Sequence, residues 1–218
     1  MKCIVARKRN QEGHEDWTQF CAEAAYADSM FESALGNFKE SIASLKHAFE
    51  LMPTYASAIM SLGSVEYQRE RKLEGKKLFF ALFDLPAETE MLCEIIDEAG
   101  SFLIRIKEYA DGLELYRRAI SIFPHAVALY QGLLCCAGHE GLHDEAVQAA
   151  QQALELEPEN QDCVNDLGWC LLERGDLTEA REALERAVEM DPKDELALEN
   201  LRYCISLIQG QNEETPEA

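Results

Sequence analysis

His139-Glu140-Gly141-Leu142-His143 is a literal HExxH, the arrangement in which two imidazoles one helical turn apart bind zinc and the glutamate between them acts as general base. That chemistry needs both histidines on one continuous helical face. Gly141, with Gly138 three residues before it, falls where the surrounding apolar pattern breaks, so the spacing predicts exposed histidines that straddle a turn. A zinc site would also need a third ligand and a shaped cleft, which leaves a zinc metallopeptidase the remotest of the readings. The eight cysteines (3, 21, 93, 135, 136, 163, 170 and 204) include no CxxC pair and read as reduced, mostly buried thiols of a cytoplasmic protein. There is no Gly-rich phosphate loop, no GxSxG and no dinucleotide fingerprint. Glu179, Glu182, Glu185 and Glu189, three to four apart, fit a solvated helix face better than an acid–base pair. The expectation is a protein with no catalytic residues, no metal and no cofactor.

The 218 residues are 47% hydrophobic and 28% charged, a globular composition. No run approaches the roughly 18–20 apolar residues of a bilayer span, and the opening MKCIVARKRN has only Ile4-Val5-Ala6 as an apolar stretch. Neither membrane insertion nor a secretory signal is expected. The net charge of −21 is unevenly spread: residues 1–80 hold 11 Lys/Arg and 11 Asp/Glu, whereas residues 81–218 hold 9 and 30. Such a chain repels nucleic acid and anionic lipid and steers basic partners in. The basic run Arg69, Arg71, Lys72, Lys76 and Lys77 reads as a solvated turn, with an anchor for an acidic partner, or for the acidic half of a second copy, as the alternative.

The elements that would position any site come from a repeat. Prolines at 53, 86, 124, 158 and 192 are spaced by 33, 38, 34 and 34, and four of them close similar segments: HAFELMP, RAISIFP, QALELEP and RAVEMDP. Leu167-Gly168, Leu171, Gly175, Ala180, Leu184, Ala187 and Pro192 describe two apolar helices joined by a tight turn. The same pattern returns through Leu133, Gly141, Ala146, Ala150, Ala153 and Pro158, through Gly100, Leu103, Gly112, Tyr116, Ala119 and Pro124, and more weakly in the two earlier segments.

These residues resemble the tetratricopeptide repeat, a 34-residue helix–turn–helix unit. The resemblance implies an all-α fold, a right-handed superhelix of stacked antiparallel helix pairs. The expected organisation is an irregular basic stretch 1–13, one solenoid 14–209 and a disordered acidic tail 210–218. Units are expected near 21–53, 54–88, 89–126, 127–160 and 161–194, followed by a capping helix 195–209 whose polar outer side ends the array. Four surplus residues between Pro86 and Cys93 predict a first helix one turn longer in the third unit, starting near Glu88.

Family resemblance also implies a concave groove lined by one face of each first helix, where such proteins hold peptide segments. Taking that face by i, i+3, i+4 spacing gives Tyr26 in the first unit, Met60 and Ser64 with Tyr67 near them in the second, and Asp97 and Glu98 in the third. The fourth unit gives Gln131 and Cys135, and the fifth Asp162, Asn165, Asp166, Trp169 and Glu173. The groove is thus expected to be apolar toward its N-terminal end and acidic toward its C-terminal end. Family members that clamp a chaperone's C-terminal carboxylate need Lys, Arg and Asn there; only Arg105 and Asn165 match by type, so a carboxylate clamp is not expected. Trp169 lies off the packing stripe, and either offers a platform to a bound cation or packs on the capping helix near Arg202 or Tyr203. The resulting reading is a non-catalytic adaptor or chaperone-like scaffold that holds a protein or peptide with a basic segment. The alternative is a structural oligomerisation subunit, and a homo-oligomer is compatible with both.

Overall fold

The proline-punctuated pattern folds as successive helix pairs. In the computed structural model, residues 12–214 are described, with side-chain surroundings for 17–210. Among the described residues every regular element is helical: α1 (Glu12–Ala34), α2 (Phe38–Leu51), α3 (Ala56–Gln68), α4 (Lys72–Ala81), a 3-10 turn (Leu82–Asp84), α5 (Leu92–Arg105), α6 (Tyr109–Ile122), α7 (Val127–His139), α8 (His143–Leu156), α9 (Gln161–Arg174), α10 (Leu177–Met190) and α11 (Glu195–Glu214). The fold is an all-α solenoid. The chain divides into two compact units, one up to Ala99 and one from Gly100, with the boundary inside α5. In the first, α2 packs on α1, α3 on α2 and α4 on α3; in the second, each helix from α6 to α11 packs on the next, and α9 also touches α7 and α11.

Two devices set the helix ends. Pro53, Pro124, Pro158 and Pro192 each follow a residue with φ between −119° and −139° and positive ψ, the extended conformation that a following proline imposes. Between the two helices of each pair, one residue takes positive φ: Gly36, Glu70, Lys107, Gly141 and Gly175. Its amide and the next one bond back to carbonyls of the ended helix, as in Gly175 N to Leu172 O and Asp176 N to Leu171 O at 3.0 and 2.9 Å, which satisfies groups the helix leaves open.

Two expectations are corrected here. The surplus residues after Pro86 do not lengthen α5. They form consecutive turns closed by Thr89 N to Pro86 O and Leu92 N to Thr89 O, and Met91 has φ 54°, which a helix entering at Glu88 cannot contain. At the other end α11 passes Gly210 and runs to Glu214. A glycine costs a helix only about 1 kcal/mol against alanine, and the Gln and Glu that follow are good helix formers. Residues 1–11 and 215–218, which carry most of the expected irregular stretch and half of the expected tail, lie outside the described residues.

Packing within a pair depends on bulk facing its absence. Tyr116, fully buried, lies against Gly100 of α5 and Gly132 of α7, where an added Cβ would come within 2.3 and 2.0 Å of its ring. Leu184 fills the corresponding space at Gly168, 2.7 Å from a would-be Cβ. In the first unit Ala25, Leu45, Ala48, Ala58 and Leu62 form one buried cluster. In the second, Val164, Ala187 and Ala197 tie α11 to the pair before it.

Candidate functional site

Helices α7 and α9 occupy equivalent places in successive pairs, so residues 35 apart meet. Gln131, Leu134, Cys135, Gly138 and His139 from α7 and Asp166, Trp169, Cys170 and Glu173 from α9 line a cleft of about 410 Å³. The i, i+3, i+4, i+7 spacing on each helix makes this one face. Of the expected site residues, the structure brings Gln131, Cys135, Asp166, Trp169 and Glu173 together here.

The polar centre of the cleft is Asp166, whose Oδ2 accepts a hydrogen bond from Gln131 Nε2 at 3.3 Å. Burial raises its pKa above the usual carboxylate range; the Gln131 hydrogen bond opposes the rise and the neighbouring Asp162 carboxylate adds to it. The cleft thus holds a carboxylate short of compensating positive charge. Glu173 and Asp162 are exposed and extend the negative field to solvent. The thiols beside them stay protonated: burial first, then the Asp166 and Glu173 charges, raise Cys135, and the same causes, with Cys135 itself, push Cys170 up to about 12. Both shifts disfavour the thiolate that a nucleophile or a metal ligand uses.

Trp169 packs on the capping helix, one of the two roles expected of it. Its ring stacks on Tyr203 of α11 with centroids 6.2 Å apart and planes 30° from parallel, while the side chain still lines the cleft. Asn165, in contrast, is buried and accepts a hydrogen bond from Asn200 Nδ2 of α11 at 3.0 Å. It is a packing residue that helps to seat α11.

The HExxH histidines belong to different helices. His139 ends α7 and His143 starts α8, with Gly141 at φ 72° between them. His139 is exposed and stacks on Tyr109 at 4.0 Å. His143 departs from the expectation of an exposed residue: it is half-buried, with an Nδ1 that has no hydrogen-bond partner. Across the turn the pair lacks the shared face that the zinc motif uses, and among the described residues no three His, Cys, Asp or Glu side chains are grouped to hold a metal.

The remaining expected residues lie in the first unit. Tyr26 OH is 3.2 Å from Ser61 Oγ, and its ring meets Tyr55 edge-on at 5.4 Å. Ser64 Oγ donates to Met60 O at 3.2 Å, back-bonding to its own helix. Met60 and Tyr67 are buried, and Tyr67 stacks on Phe79 at 5.4 Å. Both are core residues in this chain, and Gly75 leaves the space that the Tyr67 ring fills. On α5, Asp97 is half-buried and Glu98 exposed.

Sequence reasoning missed a second cleft in this unit. Phe49, Leu62 and Leu78 floor a cavity of about 570 Å³ rimmed by Lys46, Glu66, Arg71 and Lys77. Arg71 Nη2 donates to Glu66 Oε1 at 2.6 Å, and Lys76 lies 5.5 Å from the Phe80 ring centroid, so part of the basic run is held against its own helices. The signal available was the apolar pair Leu62 and Leu78 beside a Glu66–Arg71 spacing of five.

These features define a repeat scaffold with open clefts. Residues 139–202 match the family model for the tetratricopeptide repeat, and the eleven α-helices among the described residues fit a tetratricopeptide-repeat array. Among curated proteins none matches the sequence. The solved structure of YrrB, described as a TPR protein with an unusual peptide-binding site, is similar at 21% identity and a TM-score of 0.59, over 89% of this chain and 98% of that one. The MamA protein is similar at 18% identity and 0.59, over 79% and 93%. The first TPR of Spaghetti (RPAP3), bound to the HSP90 peptide SRMEEVD, is similar at 17% identity and 0.51, over 54% and 93%. Among the described residues no helix is long and apolar enough to cross a membrane.

Proposed function

We propose that this chain is a non-catalytic protein-interaction scaffold, an adaptor or chaperone-like module, whose α7–α9 cleft holds a basic segment of a partner. The supporting observation is Asp166: a half-buried carboxylate with one weak neutral donor, Gln131, sharing its cleft with Trp169 and the exposed Glu173 and close enough to the exposed Asp162 to feel its charge. A lysine or arginine side chain entering the cleft lays its aliphatic stem along Trp169, Leu134 and the neutral thiols and its charge against Asp166, Asp162 and Glu173. The peptide-bound neighbour binds an acidic sequence, SRMEEVD; the acids of this cleft call for the opposite sign. Free thiols in both units, Cys21 and Cys93 in one and Cys135, Cys136, Cys163, Cys170 and Cys204 in the other, suit a reducing, cytoplasmic location.

The test uses a Trp17→Phe background, in which Trp169 is the remaining tryptophan. Lys/Arg-containing peptides should shift its fluorescence, with affinity that falls as salt rises. Asp162→Asn with Asp166→Asn should weaken binding severalfold, at about 0.2–1 kcal/mol per exposed pair. The same variant should not lower the melting temperature. Burial raises the folded pKa of Asp166, so the native state holds this proton more tightly than the unfolded chain, and the residue's stability contribution falls as pH rises through that pKa. At neutral pH its charge is therefore a cost that asparagine removes. Normal binding of basic peptides by the double variant would overturn the reading.

A further inference from the structure

Helix α1 is apolar on two opposite faces. One face is buried against its own unit through Ala22, Ala25 and Ser29. On the other, Trp17, Phe20, Ala24, Ala27, Phe31 and Ala34 follow each other at spacings of 3, 4, 3, 4 and 3, and all six are exposed. Phe20 and Phe31 keep 56% and 61% of their surface in water, and Leu35, just past the helix end, keeps 59%. Trp17 stacks on Phe20 at 5.7 Å. This face carries an alternating three–four seam, the period at which one helix packs along another.

The seam is also a palindrome. About a midpoint between Ala24 and Ala27, Ala24 exchanges with Ala27, Phe20 with Phe31, and Trp17 with Ala34. That is the requirement of an isologous contact, in which residue i of one copy meets residue j of the other and j meets i. We propose that the outer face of α1 is a homodimer interface, in which the α1 helices of two copies pack antiparallel about a two-fold axis. The central alanines let the helices approach, and each Phe20 packs on the partner's Phe31. Half-exposed aromatic and long aliphatic side chains contribute roughly 100 Å² each. The four here (Trp17, Phe20, Phe31 and Leu35) on each copy, with the exposed alanines between them, bury on the order of 1,000 Å² in total, the size at which a specific interface begins. Charge works against the contact and gives it a salt dependence. Helix α1 carries Glu12, Glu15, Asp16, Glu23, Asp28 and Glu32 and no Lys or Arg, so the apolar seam has to outweigh like-charge repulsion, Glu23 falling opposite Asp28 in this register, and association should strengthen as salt screens it. This proposal is independent of the peptide-binding reading.

The experiment is sedimentation equilibrium on the 218-residue chain from about 1 to about 100 μM, with circular dichroism to check that variants stay helical. The unmodified chain should be a dimer over most of that range. Phe20→Lys and Phe31→Glu chains, each altered on an exposed side chain, should dissociate alone with dissociation constants raised at least about a hundredfold. Mixed in equal amounts they should re-form a heterodimer. The antiparallel register sets the introduced lysine of one chain against the introduced glutamate of the other and leaves the second Phe20–Phe31 pair intact. A monomer at every concentration overturns the proposal, whether the seam is then covered by residues 1–11 or by another protein. So does a dimer that ignores both substitutions. Dissociation without rescue on mixing overturns the antiparallel pairing.

Discussion

Up to Ala99, two aromatic rings share the task that one ring performs from Gly100 onward. Phe79 lies over Gly63 and Tyr67 over Gly75, where an added Cβ would come within 2.4 and 2.5 Å, and the two rings stack at 26°. In the second unit Tyr116 alone serves Gly100 and Gly132, and Leu184 serves Gly168. The interior rule is constant: a bulky side chain on one helix, a missing one on its neighbour. The surfaces obey no such rule. The first unit shows water Phe20, Phe31 and Phe38, while the second shows it the acids around Asp166. Inside, the repeat constrains the residues; outside, it leaves them free, so what each unit does has to be read from its own surface.

The hardest blow to this comparison is aimed at Tyr116. Tyr116→Ala should cost about 3–5 kcal/mol and lower the melting temperature by roughly 6–20 °C. Followed by fluorescence in Trp17→Phe and Trp169→Phe backgrounds, the loss should be larger at Trp169, in the same unit, than at Trp17. Equal losses would mean that the units melt together. Asn200→Ala comes next: it strands the buried Asn165 Oδ1 and should cost about 1–3 kcal/mol, visible in a denaturant titration, whereas an unchanged midpoint would deny the Asn165–Asn200 bond its part in seating α11. Glu70→Gly and Lys107→Gly should each stabilise by up to about 1 kcal/mol, since glycine holds positive φ without a Cβ penalty; a loss at either site would show that its side chain does more than occupy a turn.

The smallest effect concerns Glu145. Its hydrogen bonds from Arg117, one of them 2.7 Å from Nε, together with the Arg117 charge, lower its pKa against a modest burial penalty. The folded state therefore holds that proton less tightly than the unfolded chain, and the pair's contribution is present at neutral pH and lost as pH falls through the lowered pKa. Both partners are partly exposed, so Glu145→Gln should cost less than about 1 kcal/mol at neutral pH and nothing in acid. A pH-independent cost would assign the effect to packing.

The fold was legible because its signals are local. A proline two residues past a helix end, and a glycine in the turn 17 residues before the next proline at Gly141–Pro158 and Gly175–Pro192, each act through their own backbone. The turns at Glu70 and Lys107 were illegible for the same reason, as neither residue type announces positive φ. The third pair misled because Pro86 starts a double turn where the spacing alone suggested more helix. The acidic cleft was partly legible: i, i+3, i+4 spacing put Gln131 and Cys135 on one face of their helix and Asp166, Trp169 and Glu173 on one face of theirs, and the five line one cleft. It failed for Met60, Tyr67 and Asn165, whose surroundings depend on contacts from other helices. Asn165 finds its partner 35 residues away on α11, and no pattern within its own helix foretells that bond.

The buried thiols make the second unit a clock for its own opening. Cys136, pushed up to about 12 by burial, and Cys163, pushed up to about 11 by the same cause, are fully buried and offer little thiolate to a reagent at neutral pH. A thiol-reactive dye can therefore label them only while α7 or α9 is transiently undone. When reclosing outruns the dye, the labelling rate of each cysteine measures the free energy of the opening that bares it. Cys136 on α7 and Cys163 on α9 would then report, residue by residue, how far an excursion spreads along the array, with no residue changed.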